Sequence, residues 1–283
     1  MEFETAWGRL KLLVDQGLEG SLSTQGQRGC PDALLAAMRQ ALMGGGKRLR
    51  PVLCLASSEA CGVKAAAVLP AALSLEMVHA YSLVHDDLPC MDNAEIRRGL
   101  PTVHKAYGEA TAVLAGDALL TLAFEVLSEK AREAKGAWPG IILELARAAG
   151  CTGIIAGQVA DATPCPVSRE FLLEVHRKKT GALFQAAARM GAMAAGASPE
   201  TLSLLGQYGM ETGRAYQLLD DLADFTDSEG LNAVRVIGRR ETLAMARVSL
   251  DSARACLEPL GERARVLSGL LDSLIRGSPG QPL

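Results

Sequence analysis

Apolar residues recur every three or four positions along most of the chain, and no stretch alternates apolar with polar long enough to make a strand. That periodicity confines the fold to packed helices. Composition supports it. Hydrophobic residues make up 49% of the chain and aromatic residues only 4%, so the apolar mass is Ala, Leu, Val and Met, which favour helix over strand. So large an apolar share in 283 residues excludes a disordered protein.

The spacing predicts helices over 34–44, 63–88, 108–132, 139–161, 168–192, 199–226 and 240–257, with a short last helix over 260–276. Pro70 inside the second run requires a kink or a late start, and Pro51 is placed to open a further helix. Gly and Pro separate most of these segments at Gly99–Pro101, Trp138–Gly140, Pro164–Pro166 and Gly196–Pro199. Length alone suggests about two domains, but no linker or repeat divides the chain, and its short connections suit antiparallel helices. We therefore expect one all-α domain over residues 1–283, with 277–283 as a mobile tail.

The formal net charge is −3 and no basic block stands out, which argues against a nucleic-acid partner. Met1-Glu2-Phe3-Glu4 lacks the basic and apolar regions of a secretory signal, and no run of 18 or more apolar residues is free of charge, so no membrane span is expected. The cysteines (Cys30, Cys54, Cys61, Cys90, Cys151, Cys165, Cys256) are scattered and form no CxxC. They read as free thiols of a cytoplasmic protein, not as a zinc site or disulfide framework. The histidines show no metal-binding spacing.

Two acidic clusters stand out. Asp86-Asp87-Leu88-Pro89-Cys90-Met91-Asp92 ends the apolar run from Leu73 to Val84. Adjacent aspartates there are costly unless neutralised, and they oppose the negative end of the helix dipole. Pro89 should break the helix and let Asp92 fold back beside Asp86. In Asp220-Asp221-Leu222-Ala223-Asp224, residues 220 and 224 share one helix face. Oxygen ligands without His or Cys suit Mg²⁺, which typically bridges carboxylates to phosphate oxygens. Either cluster alone reads as well as a solvated helix end. Together they point to a diphosphate held between two helices. Gly44-Gly45-Gly46-Lys47-Arg48-Leu49-Arg50-Pro51 adds cations on a flexible glycine run near a helix start. It lacks P-loop spacing, but beside the acidic clusters it suggests a second anionic substrate.

At this point the chain resembles the trans-isoprenyl diphosphate synthases. The likeness rests on Gly45–Pro51, Glu76–Asp87, Arg97-Arg98-Gly99, Leu114–Leu119, Gly157-Gln158, Lys178-Lys179-Thr180-Gly181 and Asp220–Asp224, in order along nearly the whole chain. The four residues between Asp87 and Asp92 resemble those of bacterial farnesyl and plant-type geranylgeranyl diphosphate synthases. The resemblance implies an all-α bundle of the isoprenoid synthase type around a central cavity, usually a homodimer. Such enzymes join isopentenyl diphosphate to an allylic diphosphate with Mg²⁺. By resemblance, Asp86, Asp92 and Asp220 would ligate Mg²⁺, with Asp87, Asp221 and Asp224 nearby or acting through water. Lys47, Arg50, His79 and Arg98 would hold isopentenyl diphosphate, Arg97 and Lys179 would contact the allylic diphosphate, and Thr180 and Gln217 would line the reacting centre.

In this family, bulk at the fourth and fifth residues before the first Asp acts as a floor for the growing chain. Those residues are Ser82 and Tyr81. A Tyr at the fifth position implies farnesyl diphosphate as product. The alternative is a packed Tyr81 with Met77 setting the limit, or a geranyl or geranylgeranyl product. The segment after Asp224 departs from the family. It is short, and no lysine follows Lys179, so an expected diphosphate contact is missing unless Arg235 replaces it. That loss also fits a non-catalytic subunit of a heteromeric synthase, although both intact Asp clusters disfavour one. A terpene cyclase would not need the cations at residues 47–50 and His79. A helical scaffold is the remaining alternative.

Overall fold

Trp7, Leu10, Val14, Leu18 and Leu22 recur at three- and four-residue steps and form the buried face of α1 (Phe3–Gln27), a helix missing from the expected set. The computed structural model describes residues 3–162, 168–225 and 231–276. The expected break at Pro164–Pro166, Cys165, residues 226–230 and the 277–283 tail lie outside these.

Next come α2 (Asp32–Met43) and α3 (Leu49–Ala60), with Pro51 in the first turn of α3. A 3₁₀ turn (Ala65–Val68) leads into α4 (Leu69–Asp86), where Pro70 sits at the very start, so the late start is realised and no kink is needed. A small hairpin appears where no strand was expected, with Ile96–Arg97 paired to Leu100–Pro101. Arg98 and Gly99 turn it, both with positive φ as a two-residue hairpin turn of type I′ requires. Then follow α5 (Val103–Tyr107) and α6 (Glu109–Glu133).

The helix expected over 139–161 is two helices, α7 (Trp138–Ala149) and α8 (Ile154–Ala162). Glycine makes the break. The chain folds back so tightly at Gly153 that a Cβ would lie 1.9 Å from the Ala148 carbonyl oxygen. The helix expected over 168–192 is likewise interrupted. It runs as α9 (Arg169–His176), a π turn (Arg177–Gly181) and α10 (Ala182–Ala194). The remainder is α11 (Pro199–Ala223), α12 (Ala233–Ile237), α13 (Arg239–Leu257), a 3₁₀ segment (Glu258–Ala264) and α14 (Arg265–Ile275).

The main core runs through α4, whose residues 71–78 are all buried, and extends to α3, α6, α10 and α11. Helix α4 packs against α6, α10 against α3, α7 and α11, and α11 against α13. A smaller core joins Leu172 of α9, Leu218 of α11, Ala233 of α12 and Ala246 of α13. The expectation about membrane spans needs correcting. By length and composition alone, Ala65–Asp86, Glu109–Glu133 and Trp138–Ala162 could each cross a membrane. Each carries few enough charges that charge content alone does not exclude a span. The first of the three is 67% buried in the bundle, and Gly150–Gly153 breaks the third. The whole is an all-α bundle in which His79 of α4 and Tyr216 of α11 line one cavity, and an acidic cluster stands at the C-terminal end of each of these two helices.

Candidate active site

Helix α4 ends at Asp86 and the chain turns at once. The Asp92 amide donates to the Asp86 carbonyl at 2.9 Å, so the fold-back expected from Pro89 is present. Asp86 is half-buried and has no hydrogen-bond or ion-pair partner on its carboxylate among the described residues. Burial pushes its pKa up to about 6, against the pull of Lys179 and with the help of Asp92. Asp87 behaves differently. It is buried, and Arg97 grips it with Nε at 2.8 Å from both carboxylate oxygens and Nη2 at 2.6 Å from Oδ1. Adjacent helical residues point about 100° apart, so only one of the pair faces the cleft. Asp87 therefore serves the hairpin, and a buried carboxylate there needs such a partner.

The cationic loop is divided in the same way. Arg48 caps α3 in a left-handed conformation and turns inward. Its Nη1 lies 2.6 Å from Glu76, its Nε 2.8 Å from Asp15, and Nη2 donates to the Leu42 carbonyl at 2.6 Å. Of the three cations it is the structural one. Lys47 and Arg50 line, together with Arg48, a cavity of about 380 Å³ with Gly46, Glu76, His79, Arg98 and Tyr216. Gly46 has φ +142, a backbone conformation that side chains rarely adopt, and a Cβ on it would sit 3.0 Å from Arg98 Nη1, so glycine lets the guanidinium lie close against the loop. Arg98 donates to the Gly45 carbonyl. Burial, with Arg50 and Arg98 next, holds His79 well below its usual pKa, so its ring is neutral. Arg50 lies 4.7 Å from the Phe184 ring centroid, and its buried Nε has no hydrogen-bond partner among the described residues. A cavity so rich in cations, with one carboxylate already matched to Arg48, calls for an anion.

At the second cluster, Asp220 is half-buried and Asp224 exposed at the end of α11. Burial, then Asp224, raises the Asp220 pKa. Asp221 is buried and, like Asp87, is held by protein partners. It accepts from Gln217 Nε2 at 2.9 Å and from the Ala233 amide at 2.7 Å. Gln217 accepts from the Thr180 hydroxyl at 2.7 Å, which ties the π turn to α11. Lys179, in that turn, pairs with Asp161 at 2.6 Å. Gly157 lets α8 press against it, since a Cβ would lie 2.4 Å from the Lys179 nitrogen. Among the described residues no three of His, Cys, Asp or Glu converge closely enough to hold a metal by themselves.

The structure thus groups Asp86, Asp92 and Lys179 on one side of the cleft, Asp220 and Asp224 on another, and Lys47, Arg50, His79 and Arg98 in the adjoining cavity. Tyr81 lies buried below Asp86, and the Ser82 hydroxyl is turned back onto the His79 carbonyl at 2.9 Å. Arg97 and Lys179, expected at the allylic diphosphate, each hold an acid of the protein. Asp87 and Asp221, expected beside the metal, are committed to protein contacts. Four residues of the site have no role assigned to them from the sequence: Glu76, Asp161, His176 and Tyr216. Tyr216 could have been found, because it stands one turn before Asp220. The other three depend on contacts between distant segments. Arg235 lies exposed on α12.

Two carboxylate-tipped helices facing a cationic cavity in a purely helical bundle define an isoprenoid-synthase-type protein. The polyprenyl synthetase family model matches residues 31–233. Geranylgeranyl pyrophosphate synthase 12, chloroplastic, of Arabidopsis thaliana is 41% identical over 83% of this chain and 68% of its own length. A dimethylallyltranstransferase of Fischerella ambigua is 38% identical over 93% of this chain and 80% of its own length. Another Arabidopsis thaliana relative, geranylgeranyl pyrophosphate synthase 9, chloroplastic, is matched over only 57% of its length. The crystal structure of a Zymomonas mobilis FPP/GFPP synthase superimposes with a TM-score of 0.86 at 34% identity, covering 95% of this chain and 97% of that one. This chain belongs to the polyprenyl synthetase family, and it is a prenyltransferase.

Proposed function

We propose that the protein condenses isopentenyl diphosphate with an allylic diphosphate, with Mg²⁺ as cofactor and farnesyl diphosphate as product. The observation that carries this reading is Asp86, a half-buried carboxylate raised to about 6 with no protein cation seated on it among the described residues, in a chain that also gathers Lys47, Arg50 and Arg98 around one cavity. The donor set fits Mg²⁺. Asp86 with Asp92, and Asp220 with Asp224, offer oxygen alone, in pairs that phosphate oxygens and water would complete. When bound, Mg²⁺ would neutralise the allylic diphosphate and make it a good leaving group.

Lys179 would add a cation on that diphosphate. The allylic C–O bond breaks and leaves a carbocation. The Thr180 hydroxyl donates its hydrogen bond to Gln217 Oε1, so its own oxygen lone pairs are free to face positive charge. Lys47, Arg50 and Arg98 would fix isopentenyl diphosphate, with His79 as a neutral hydrogen-bonding partner. Its double bond attacks the cation, a carbon–carbon bond forms, and the released diphosphate takes the proton lost. The apolar wall of α4 keeps water from the cation.

Tyr81 lies about 7.5 Å below Asp86 along the helix. Its buried hydroxyl has no partner among the described residues, which supports a side chain that lines a space and ends it. A homodimer is proposed from the exposed apolar residues Val113, Leu114, Leu143, Ile155 and Val159 on α6 to α8. A cytoplasmic location is proposed because the described cysteines are all free thiols. Calorimetric titration tests the metal assignment. Mg²⁺ alone should bind weakly, and Mg²⁺ with inorganic diphosphate at least tenfold more tightly. Equal affinities would remove the shared site.

A further inference from the structure

His176 is the last residue of α9 and is 5% exposed. Its Nε2 stands 3.4 Å from Asp221 Oδ2, the same oxygen that accepts the Ala233 amide at the start of α12. The other Asp221 oxygen takes the Gln217 amide, and Gln217 takes the Thr180 hydroxyl. Thr180 lies in the π turn that His176 itself precedes. That turn is therefore bracketed. Its leading residue reaches α11 through Asp221, and Thr180 reaches α11 through Gln217. The other ring nitrogen, Nδ1, is buried without a partner among the described residues.

Asp221 has further duties. Its carbonyl accepts from Asn232 Nδ2 at 3.0 Å, and Asn232 caps α12 through the Val234 amide at 2.8 Å. Helix α12 is thus anchored at Asp221 and by the small core of Leu172, Leu218, Ala233 and Ala246.

We propose that His176 is a positioning residue. It holds Asp221, and through Asp221 it fixes both the Gln217–Thr180 pair and the cap of α12, in the arrangement that receives the allylic diphosphate. The last clause rests on the function proposed above. The anchoring of α12 does not.

Two near-isosteric polar variants test it. The amide of His176→Gln reaches about where Nε2 lies, and that of His176→Asn only to about Nδ1. Hydrogen exchange of apo protein should show the amides of 233–238 exchanging about tenfold faster in H176N than in wild type, and within about threefold of wild type in H176Q. Titration with Mg²⁺ and inorganic diphosphate should show about tenfold weaker binding in H176N alone. In steady-state elongation, H176N should raise KM for the allylic substrate about tenfold and leave KM for isopentenyl diphosphate within about twofold. If the two variants behave alike, whether both as wild type or both impaired, the Nε2–Asp221 contact has no positioning role and the proposal falls. Hydrogen exchange reads the anchor even if the wild-type protein elongates nothing, so that result would overturn the function without touching the anchor.

Discussion

The Asp92 amide donates to the Asp86 carbonyl at 2.9 Å, so one tight turn closes the first acidic cluster on itself. The turn brings a second carboxylate close to one that burial has already disfavoured. Asp86 is thereby poised for a metal–diphosphate complex and destabilising without one.

Asp86→Asn should therefore stabilise the apo protein while abolishing elongation. The Asp86 pKa is about 6 in the folded chain against 3.8 for a freely solvated Asp carboxyl, so its ionisation costs on the order of 3 kcal/mol of stability at neutral pH. The folded state binds the proton more tightly. Wild-type stability therefore gains as pH falls from 6 toward 3.8, and the advantage of the variant is full above about pH 6 and gone below 3.8. Thermal melts across pH check this. With Mg²⁺ and diphosphate present the order should reverse.

Arg48→Met should destabilise by about 3–5 kcal/mol, because it strands the buried Glu76 carboxylate. Arg48→Met with Glu76→Leu should recover most of that loss, since an apolar pair of similar volume replaces a buried ion pair at little cost. Urea unfolding of the three proteins measures the coupling.

Gly157→Ala should be costly despite its small size. The new methyl would meet the Lys179 backbone nitrogen at 2.4 Å, and backbone cannot rotate away. A loss of about 1–3 kcal/mol is expected, with a lower kcat as the Lys179–Thr180 turn is pushed off α8. Melting temperature and kcat together check it.

Tyr81→Ala should lengthen the product by at least one five-carbon unit, while Met77→Ala should leave it unchanged. Chromatography of the dephosphorylated products reads the lengths. Unchanged length in Tyr81→Ala would pass the limit to another residue.

Much of this was legible in the sequence. Helical periodicity located α2, α6, α11 and α13 to within a few residues, and Pro70 and Pro89 placed the start of α4 and the fold-back of Asp92. The N-terminal helix was equally periodic but carries no motif. The breaks at Gly150–Gly153 and at the π turn interrupt runs whose apolar spacing barely changes, so period alone misses them. The division of Asp86 from Asp87, and of Asp220 from Asp221, follows from helix geometry and could have been argued. Arg48 could not, because its partners Asp15 and Glu76 lie 33 and 28 residues away. His176 was hidden for the same reason, since Asp221 reaches it only through the packing of α9 on α11.

The most direct test is to incubate the purified protein with Mg²⁺, isopentenyl diphosphate and, in turn, dimethylallyl, geranyl and farnesyl diphosphate, and to identify the products. The account predicts elongation of the first two to the fifteen-carbon chain and none of the third. Elongation of none of the three would contradict it and leave a non-catalytic subunit as the better reading.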